Sequence, residues 1–357
     1  MLIEQLEELL RWYRTKRRVL PWRETREPYA ILVSEVMLQQ TTVAAVVPRY
    51  QQWMRRFPTV EALARAEESE VLSQWSGLGY YQRARRLHQA AQEVTRRGEF
   101  PDSLEGLQAL PGVGAYTAAA VSSICFERPE LAIDTNLIRV LFRYYAIRKP
   151  AQNSAVHRTL REQFRPLLEF CSPGEANQAL MELGATVCRP DPVCSECPLQ
   201  KSCAGRQATG GATMFPQNVP KKRARLTPGR ALVLQDSQER RTLMVKGTSL
   251  GLLAPLFQPP IMFSAEESCQ QMQQAFEELY ADLPASDRSW RISYSISGRK
   301  LDLDCRQWFL ESEVFGRAER HLSSVLQVAC YRFQEDNGPT PLSSLSRKIL
   351  RRAMESP

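Results

Sequence analysis

Two acidic residues in this sequence lie where a carboxylate can do chemistry. Glu35 lies in an otherwise apolar stretch of a helix that we expect to run from Pro28 to about Leu38, where burial would raise its pKa and let the carboxyl carry a proton near neutral pH. Asp134 lies at the head of a second predicted helix that begins near Asn136, where free amide groups favour the ionised carboxylate. Such a pair suits cleavage of a glycosidic bond, since the acid protonates the leaving group and the carboxylate stabilises the cationic sugar.

Each carboxylate also has a purely structural explanation. Glu35 fits a buried carboxylate that is paired within the core. Asp134 stands before Thr-Asn-Leu and fits an ordinary helix N-cap. The two residues indicate catalysis only in combination with the motifs around them.

The segment Leu110-Pro-Gly-Val-Gly114 reads as a helix-hairpin-helix. Gly112 and Gly114 let the backbone turn tightly and leave no Cβ between the amide groups and an approaching anion. Because the hairpin opens the next helix, free amides and the positive end of the helix dipole can hold a DNA phosphate, whatever the base sequence. The alternative is an ordinary turn between two packed helices.

A cluster of cysteines follows, with the spacing C-x5-C-x2-C-x5-C. Its members are Cys188, Cys194, Cys197 and Cys203. Only one pair is CxxC, whereas zinc ribbons usually show two, so four thiolates at these gaps favour an iron–sulfur cluster over zinc. The chain has 9 cysteines in all, and the scatter of the others argues for a reducing cytosol rather than a disulfide framework.

Composition bounds the partners. The 357 residues carry a net charge of +8, which fits a polyanionic partner but does not require one. No apolar run is long enough to span a bilayer, and the N-terminus carries acidic residues where a signal peptide would be basic. We therefore expect a cytoplasmic protein, associated with the nucleoid, and no membrane partner.

The residue pattern of the sequence changes after residue 203. Before residue 203 the pattern is of helices with short breakers and no alternating strands. A basic connector at 204–230 leads into a region of mixed strands and helices. The expected elements there are strands at 231–235 and 242–247, a helix at 265–281 and a hairpin of 290–295 with 300–308. The predicted fold is mainly α, with a helical domain at 1–203, the connector, and a smaller α+β domain at 231–357.

These motifs together resemble a known family. From about Leu20 to Cys203 the chain is similar to the helix-hairpin-helix glycosylase superfamily, and specifically to adenine DNA glycosylases of the MutY type. The segments that carry the resemblance are the hairpin, the cysteine cluster, Leu20-Pro-Trp-Arg23, Ser34-Glu-Val-Met-Leu-Gln-Gln-Thr41 and Gly77-Leu-Gly-Tyr-Tyr81.

The resemblance implies roles at the site of chemistry. Glu35 would protonate adenine and Asp134 would stabilise the oxocarbenium-like state, while Asn136 matches a family active-site residue. Glycosylases that also cleave the backbone have a lysine where this chain has Tyr116, and a phenol cannot form a Schiff base, so the enzyme would be monofunctional. The family usually has glycine at the position of Thr135, so local geometry there is expected to differ.

The resemblance also implies contacts to the duplex. A base that is extruded from the stack leaves a gap, which Gln40 and Tyr80 would enter. Arg23 resembles a residue near the adenine pocket. Taken alone, Tyr80 fits core packing under a loop better than it fits a contact to the duplex.

The remaining implications concern the cofactor and the second domain. The cysteines would hold a [4Fe-4S] cluster, although the first gap has five residues where the family has six. The second domain would be a degenerate Nudix-like domain that reads 8-oxoguanine, with no hydrolase motif of its own. Relatives present a Phe-Ser-His loop to the lesion, and of these Ser297 alone remains here. The implied partner is double-stranded DNA with adenine opposite 8-oxoguanine or guanine, bound by a monomer.

Two other functions are compatible with the sequence. One is a related glycosylase that removes thymine or uracil opposite guanine; Glu35 argues against it, because an acid suited to adenine has no obvious use on a pyrimidine. The other is a non-catalytic mismatch binder or iron–sulfur DNA sensor, against which the presence of both Glu35 and Asp134 argues.

Overall fold

The computed structural model describes residues 1–217, 225–239, 241–246, 257–263, 270–296, 299–326, 330–333, 342 and 344–355. The chain divides into two compact units. The first, here called the helical unit, comprises Met1–Gln74 and Gln82–Lys221; the second, called the sheet unit, comprises Trp75–Tyr81 and Lys222–Pro357. The boundary between the units, at residues 221 and 222, falls inside the predicted connector. The predicted domains did not group residues 75–81 with the later part of the chain. The predicted domain boundaries stay a prediction.

The helical unit consists of α-helices and short 3₁₀ turns, with no strand in the part of it that the structure describes. The α-helices are α1 Ile3–Lys16, α2 Pro28–Leu38, α3 Val43–Arg56, α4 Val60–Ala64, α5 Glu68–Gln74, α6 Gln82–Arg97, α7 Leu104–Gln108, α8 Ala115–Phe126, α9 Thr135–Tyr144, α10 Ser154–Glu169, α11 Pro173–Thr186 and α12 Ala204–Gln207. The 3₁₀ turns are Pro21–Arg23, Cys194–Glu196 and Ala212–Met214.

Helix α2 begins and ends where the sequence predicts. Pro28 occupies its first turn, and the side chain of Glu27 caps it by accepting a hydrogen bond from the amide of Ala30. The helix is buried on nearly all sides, since every residue from Tyr29 to Met37 is buried. A carboxylate on this helix therefore has no solvated face.

The helices pack so that α2, α8, α9 and α11 surround one region. α2 packs against α8, α8 against α11, and α11 against α9 and α1. The apolar face of α1 joins the core of α9 and α11 through four buried side chains, Leu6, Leu9, Leu10 and Tyr13. Burial of this face stabilises the packing by about 25 cal/mol per Å² of apolar surface.

The sheet unit is built on a seven-stranded sheet whose central order is β3-β2-β1-β6-β5, with β4 paired to β1 and β7 to β2. The strands are β1 Arg225–Asp236, β2 Thr242–Lys246, β3 Phe257–Gln258, β4 Ile261–Phe263, β5 Arg288–Ile296, β6 Arg299–Leu310 and β7 Cys330–Phe333. The helices are α13 Gln270–Asp282, α14 Ser312–Leu326 and α15 Ser344–Met354. α15 contributes to one hydrophobic cluster of the unit, and α13 and α14 contribute to another. The predicted α+β class of this region is confirmed.

The predicted hairpin is present. β5 and β6 pair antiparallel with Ile296 opposite Arg299, so residues 297 and 298 connect them. Ser297, the predicted lesion contact, lies outside the described residues. In the part of the chain that the structure describes, no helix is long and apolar enough to cross a membrane.

Candidate active site

One cavity of about 740 Å³ lies where α2 and α8 meet α9 and α11. All four predicted catalytic residues line it, namely Glu35, Tyr116, Asp134 and Asn136. So do four of the predicted DNA contacts, namely Arg23, Gln40, Gly112 and Gly114. Residues that are far apart in the sequence are therefore gathered around a space large enough for a base.

Glu35 is buried, with 7% of its surface exposed. Burial raises the pKa of its carboxyl to about 7, and the nearby charge of Asp134 adds to the rise. Tyr116 acts in the opposite direction, because its hydroxyl donates a hydrogen bond of 2.5 Å to Glu35 Oε2 and stabilises the ionised form. The Glu35 carboxyl can therefore hold a proton near neutral pH and donate it to a proton acceptor bound in the cavity.

Tyr116 is held by the hairpin. It is the second residue of α8, after Gly114 at the N-cap. Burial and the negative charges of Glu35 and Asp134 raise the pKa of the phenol well above its ordinary value. The hydroxyl therefore stays protonated and serves as a donor to Glu35.

Asp134 is the N-cap of α9. Its Oδ1 accepts the amide of Leu137 at 2.6 Å, and its Oδ2 accepts Nδ2 of Asn136 at 2.9 Å. Burial raises the pKa of Asp134, while these hydrogen bonds lower it. Asp134 therefore does cap α9, as the structural alternative predicted. The capping carboxylate also lies on the wall of the cavity.

Asn136 is fixed from its other side. Arg139 donates from Nη2 to Asn136 Oδ1 at 2.8 Å and to the carbonyl of Gly184 at 2.6 Å. Its Nε donates to the carbonyl of Cys188 at 2.7 Å. Thr135, where the family has glycine, is the first helical residue of α9 and does not have a positive φ, so the threonine is compatible with the backbone here.

The two hairpin glycines do different things. Gly112 has φ +78°, and a Cβ there would lie 2.6 Å from Cβ of Arg86, so both conformation and space require glycine. Gly114 has φ −87° and caps α8 without a side-chain hydrogen bond. A Cβ on Gly114 would meet nothing within 4 Å. The N-terminus of α8 is therefore open to an anion.

Gln40 and Tyr80, the two residues predicted to enter the duplex, share a backbone feature. Gln40 has φ 56° and Tyr80 has φ 49°, values that cost a non-glycine residue free energy. Gln40 is exposed at the end of α2. Tyr80 belongs to the sheet unit and is 46% exposed, which does not favour the core-packing alternative.

A second buried carboxylate lies on the cavity wall, and it was not predicted from the sequence. Glu182 on α11 is 1% exposed. Arg18 donates to both of its oxygens at 2.8 and 2.7 Å, and Arg23 donates to Oε2 at 2.8 Å. Burial alone would raise the pKa of Glu182, but these hydrogen bonds outweigh it and lower the pKa to about 2. The available signal was the same as for Glu35, an acid inside an apolar helical stretch.

The ion pair also defines Arg23. Its side chain is 8% exposed, and its Nη1 donates to the carbonyl of Arg18 at 3.0 Å. The predicted DNA contact is thus a buried cation that lines the cavity beside Glu182.

The four clustered cysteines line one small cavity. Polar hydrogens point at the sulfurs of three of them. The amide of Leu199 faces Cys197, and the amides of Gly205 and Arg206 face Cys203. Arg143 Nη1 lies 3.5 Å from Cys188 Sγ. Such hydrogen bonds are typical of thiolate ligands in iron–sulfur sites.

Among the described residues no three metal-binding side chains gather closely enough to hold a single metal ion as they stand. The shortened first gap is supported by Arg143, which donates to the carbonyls of Arg189 and Pro190 at 2.6 and 2.9 Å. Four thiols that line one cavity are a donor set suited to a thiolate-bound group.

Comparison with known proteins gives the family. The family model described as "HhH-GPD superfamily base excision DNA repair protein" matches residues 33–166. The adenine DNA glycosylase of Schizosaccharomyces pombe is 32% identical over 364 residues, which cover 83% of this chain and 78% of that protein. This chain belongs to the adenine DNA glycosylase family.

Other relatives cover different shares of the chain. The adenine DNA glycosylase of Rattus norvegicus is 46% identical over 214 residues, or 57% of this chain and 42% of the rat protein. The chain thus spans less than half the length of that relative. Among solved structures, a thermostable thymine-DNA glycosylase matches with TM-score 0.51 and 31% identity, covering 56% of this chain and 93% of that one. The predicted helix-hairpin-helix fold is confirmed.

Proposed function

We propose that this protein is a monofunctional DNA glycosylase that hydrolyses the N-glycosidic bond of adenine mispaired with 8-oxoguanine or guanine. The observation that carries the proposal is Glu35, a buried acid with a pKa raised to about 7 that faces the same cavity as Asp134. The names of the relatives support adenine as the base.

The chemistry follows from these two residues. Glu35 delivers its proton to the adenine, so the C–N bond breaks with its electron pair going to the base. Positive charge develops on the sugar, and the carboxylate of Asp134 stabilises it. Water then adds at C1′ and releases a proton, which completes a hydrolysis. Asn136 and the amide of Leu137 keep Asp134 in place.

The same cavity favours base removal without strand cleavage. Among its described lining residues none is lysine, and Tyr116 stands where glycosylases that also cleave the backbone have a lysine nucleophile. A Schiff base requires an amine. The product would therefore be an intact strand with an abasic site.

The protein would meet double-stranded DNA as a monomer, in the cytoplasm at the nucleoid. Amides at the open N-terminus of α8, after Gly114, would hold a phosphate. Gln40 and Tyr80 would fill the gap left by the extruded adenine. Ser297 would contribute the sheet unit's contact to the opposite base.

The clustered cysteines, Cys188, Cys194, Cys197 and Cys203, would hold a [4Fe-4S] cluster. When bound, the cluster would cross-link the loop that follows α11. The hydrogen bonds to the sulfurs described above support thiolate ligation.

Single-turnover assays on four duplexes test the function. The target pairs are adenine opposite 8-oxoguanine, adenine opposite guanine, thymine opposite guanine and uracil opposite guanine, and the free base is identified by chromatography. We expect free adenine from the first two, strand breaks only after alkali, and no covalent adduct with borohydride. The thymine-DNA glycosylase structure makes thymine release the second candidate, and it would replace our proposal if observed. Binding with no free base from any duplex would indicate a mismatch-binding protein.

A further inference from the structure

Arg83, the second residue of α6, reaches across to the end of α2. Its Nη1 donates to the carbonyls of Val36 and Met37 at 2.8 and 3.2 Å. The same nitrogen lies 2.5 Å from the carbonyl of Gln39, so its two N–H groups are shared among three carbonyl acceptors. Its Nη2 donates to Thr41 Oγ1 at 3.3 Å. One guanidinium therefore binds the last turn of α2 and both neighbours of Gln40.

These acceptors are groups that need a partner. Val36 and Met37 belong to the last turn of α2, where carbonyls have no intrahelical donor and the helix dipole is negative. Gln40, between two of the bonded residues, has φ 56°, which is unfavourable for a side chain with a Cβ. Arg83 offsets that cost by bonding to the turn on both sides. Gln39 adds a tie to α8, since its Nε2 donates to Thr117 Oγ1 at 3.3 Å.

The same helix supports the hairpin. Arg86 lies one turn further along α6, and its Cβ is the atom that a Cβ on Gly112 would meet at 2.6 Å. α6 thus touches the turn that carries Gln40 and the turn proposed to hold a phosphate.

We propose that Arg83 is a positioning residue for base extrusion. It holds Gln40 in the left-handed conformation in which its side chain can occupy the gap left by the extruded base. This inference rests on the proposed function, because it assumes that Gln40 enters the duplex. It assigns Arg83 to the opening of the base pair and leaves cleavage of the glycosidic bond to Glu35.

The test compares the rate of release of an adenine that is base-paired with the rate for an adenine that has no base opposite it. Arg83→Met removes the donors and keeps an unbranched chain, and Arg83→Lys keeps the charge. Arg96→Met is the matched control, since Arg96 is an exposed arginine on the same helix that pairs with Glu93. Each is assayed at single turnover on adenine opposite 8-oxoguanine and on adenine opposite an abasic-site analogue. A third duplex carries 2-aminopurine as the target, whose fluorescence rises when the base leaves the stack.

For Arg83→Met we expect the rate on the paired duplex to fall by about 10- to 100-fold, which is the scale of losing part of the energy that opens a pair. The unpaired adenine should be released within about 3-fold of the wild-type rate. The 2-aminopurine fluorescence of Arg83→Met should fall below that of the wild type. On the paired duplex, the rate of Arg83→Lys should lie between those of Arg83→Met and the wild type, and the rate of Arg96→Met should equal that of the wild type. Equal losses on both duplexes, or no loss, would overturn the inference.

A Gln40→Ala background keeps the test decisive if the methionine variant fails to fold. Arg83→Lys should then add no further loss on the paired duplex, since the residue it positions is gone. An equal additional loss in that background would overturn the inference. If the wild type releases no base at all, the proposed function fails, while the 2-aminopurine signal still decides the role of Arg83.

Discussion

The two units each bury a carboxylate, and the two carboxylates differ in kind. Asp236 in the sheet unit is 3% exposed, and it accepts the amides of Gln238 and Glu239 at 2.9 and 3.0 Å and the hydroxyl of Ser312 at 3.0 Å. Glu35 in the helical unit has a phenol as its hydrogen-bond partner and faces a cavity. A carboxylate saturated by backbone amides fixes a turn, whereas one that shares a cavity with other titratable groups can exchange a proton.

Replacing Glu35 gives the largest expected effect. Glu35→Gln keeps the shape but cannot donate a carboxyl proton, so we expect the single-turnover rate of base release to fall by at least about 10²–10⁴-fold. DNA affinity should remain close to that of the wild type. Glu175→Gln, on the surface beside Arg14, is the control and should keep its rate. Retention of more than about a tenth of the wild-type rate in Glu35→Gln would remove it from the role of acid.

The next prediction concerns the four clustered cysteines of the helical unit, Cys188, Cys194, Cys197 and Cys203. We expect the purified protein to be yellow-brown and to contain iron and sulfide, and Cys197→Ser to lose both because a ligand is removed. Cys171→Ser is the matched control, since Cys171 is half-buried on the segment between α10 and α11, away from the clustered four in sequence, and should keep the iron. A colourless, active wild type with one zinc would contradict the cluster.

Asp236→Ala should have the opposite profile to Glu35→Gln. Three hydrogen bonds to one buried carboxylate are lost, so we expect the free energy of unfolding to fall by about 1–3 kcal/mol. Denaturant unfolding followed by circular dichroism measures this. The rate of base release by the folded fraction should not change. A loss of rate without a loss of stability would show that the two carboxylates are not distinguished as we argue.

The smallest expected effect concerns lesion preference. Of the Phe-Ser-His segment that relatives present to the lesion, the resemblance leaves only Ser297 in this chain, and one lost contact to a polar group is worth roughly 1–3 kcal/mol. We therefore expect a weak preference for 8-oxoguanine over guanine, and only a modest reduction of it when residues 231–357 are deleted. Rates on both duplexes, with and without those residues, provide the check. A large preference that truncation erases would place lesion reading in the sheet unit.

The sequence predicted what depends on residue type and local pattern. Pro28 and an apolar run give α2 its start and its burial, and strand alternation gives the β5–β6 hairpin. Glu35 and Asp134 could be chosen because the hairpin, the cysteine cluster and the other motifs around them point to one kind of chemistry.

What the sequence could not predict depends on tertiary contacts. Glu182 carries the same local signal as Glu35, but its ionised state follows from arginines 164 and 159 residues away in the chain. Arg83 looks like any charged residue on a helix, and only the fold brings it to the carbonyls of α2. The grouping of Tyr80 with the sheet unit likewise follows from packing and not from its own segment.

The pH dependence of single-turnover adenine release tests the central claim most directly. Because the acid must be protonated and its pKa is about 7, the rate should be high below that pH and fall by up to about ten-fold per unit above it. In Tyr116→Phe the carboxylate loses the hydrogen bond that lowers its pKa, so the falling limb should move to higher pH. A rate that is independent of pH from about 6 to about 9, or a limb that moves to lower pH in Tyr116→Phe, would contradict the assignment of Glu35 as the proton donor.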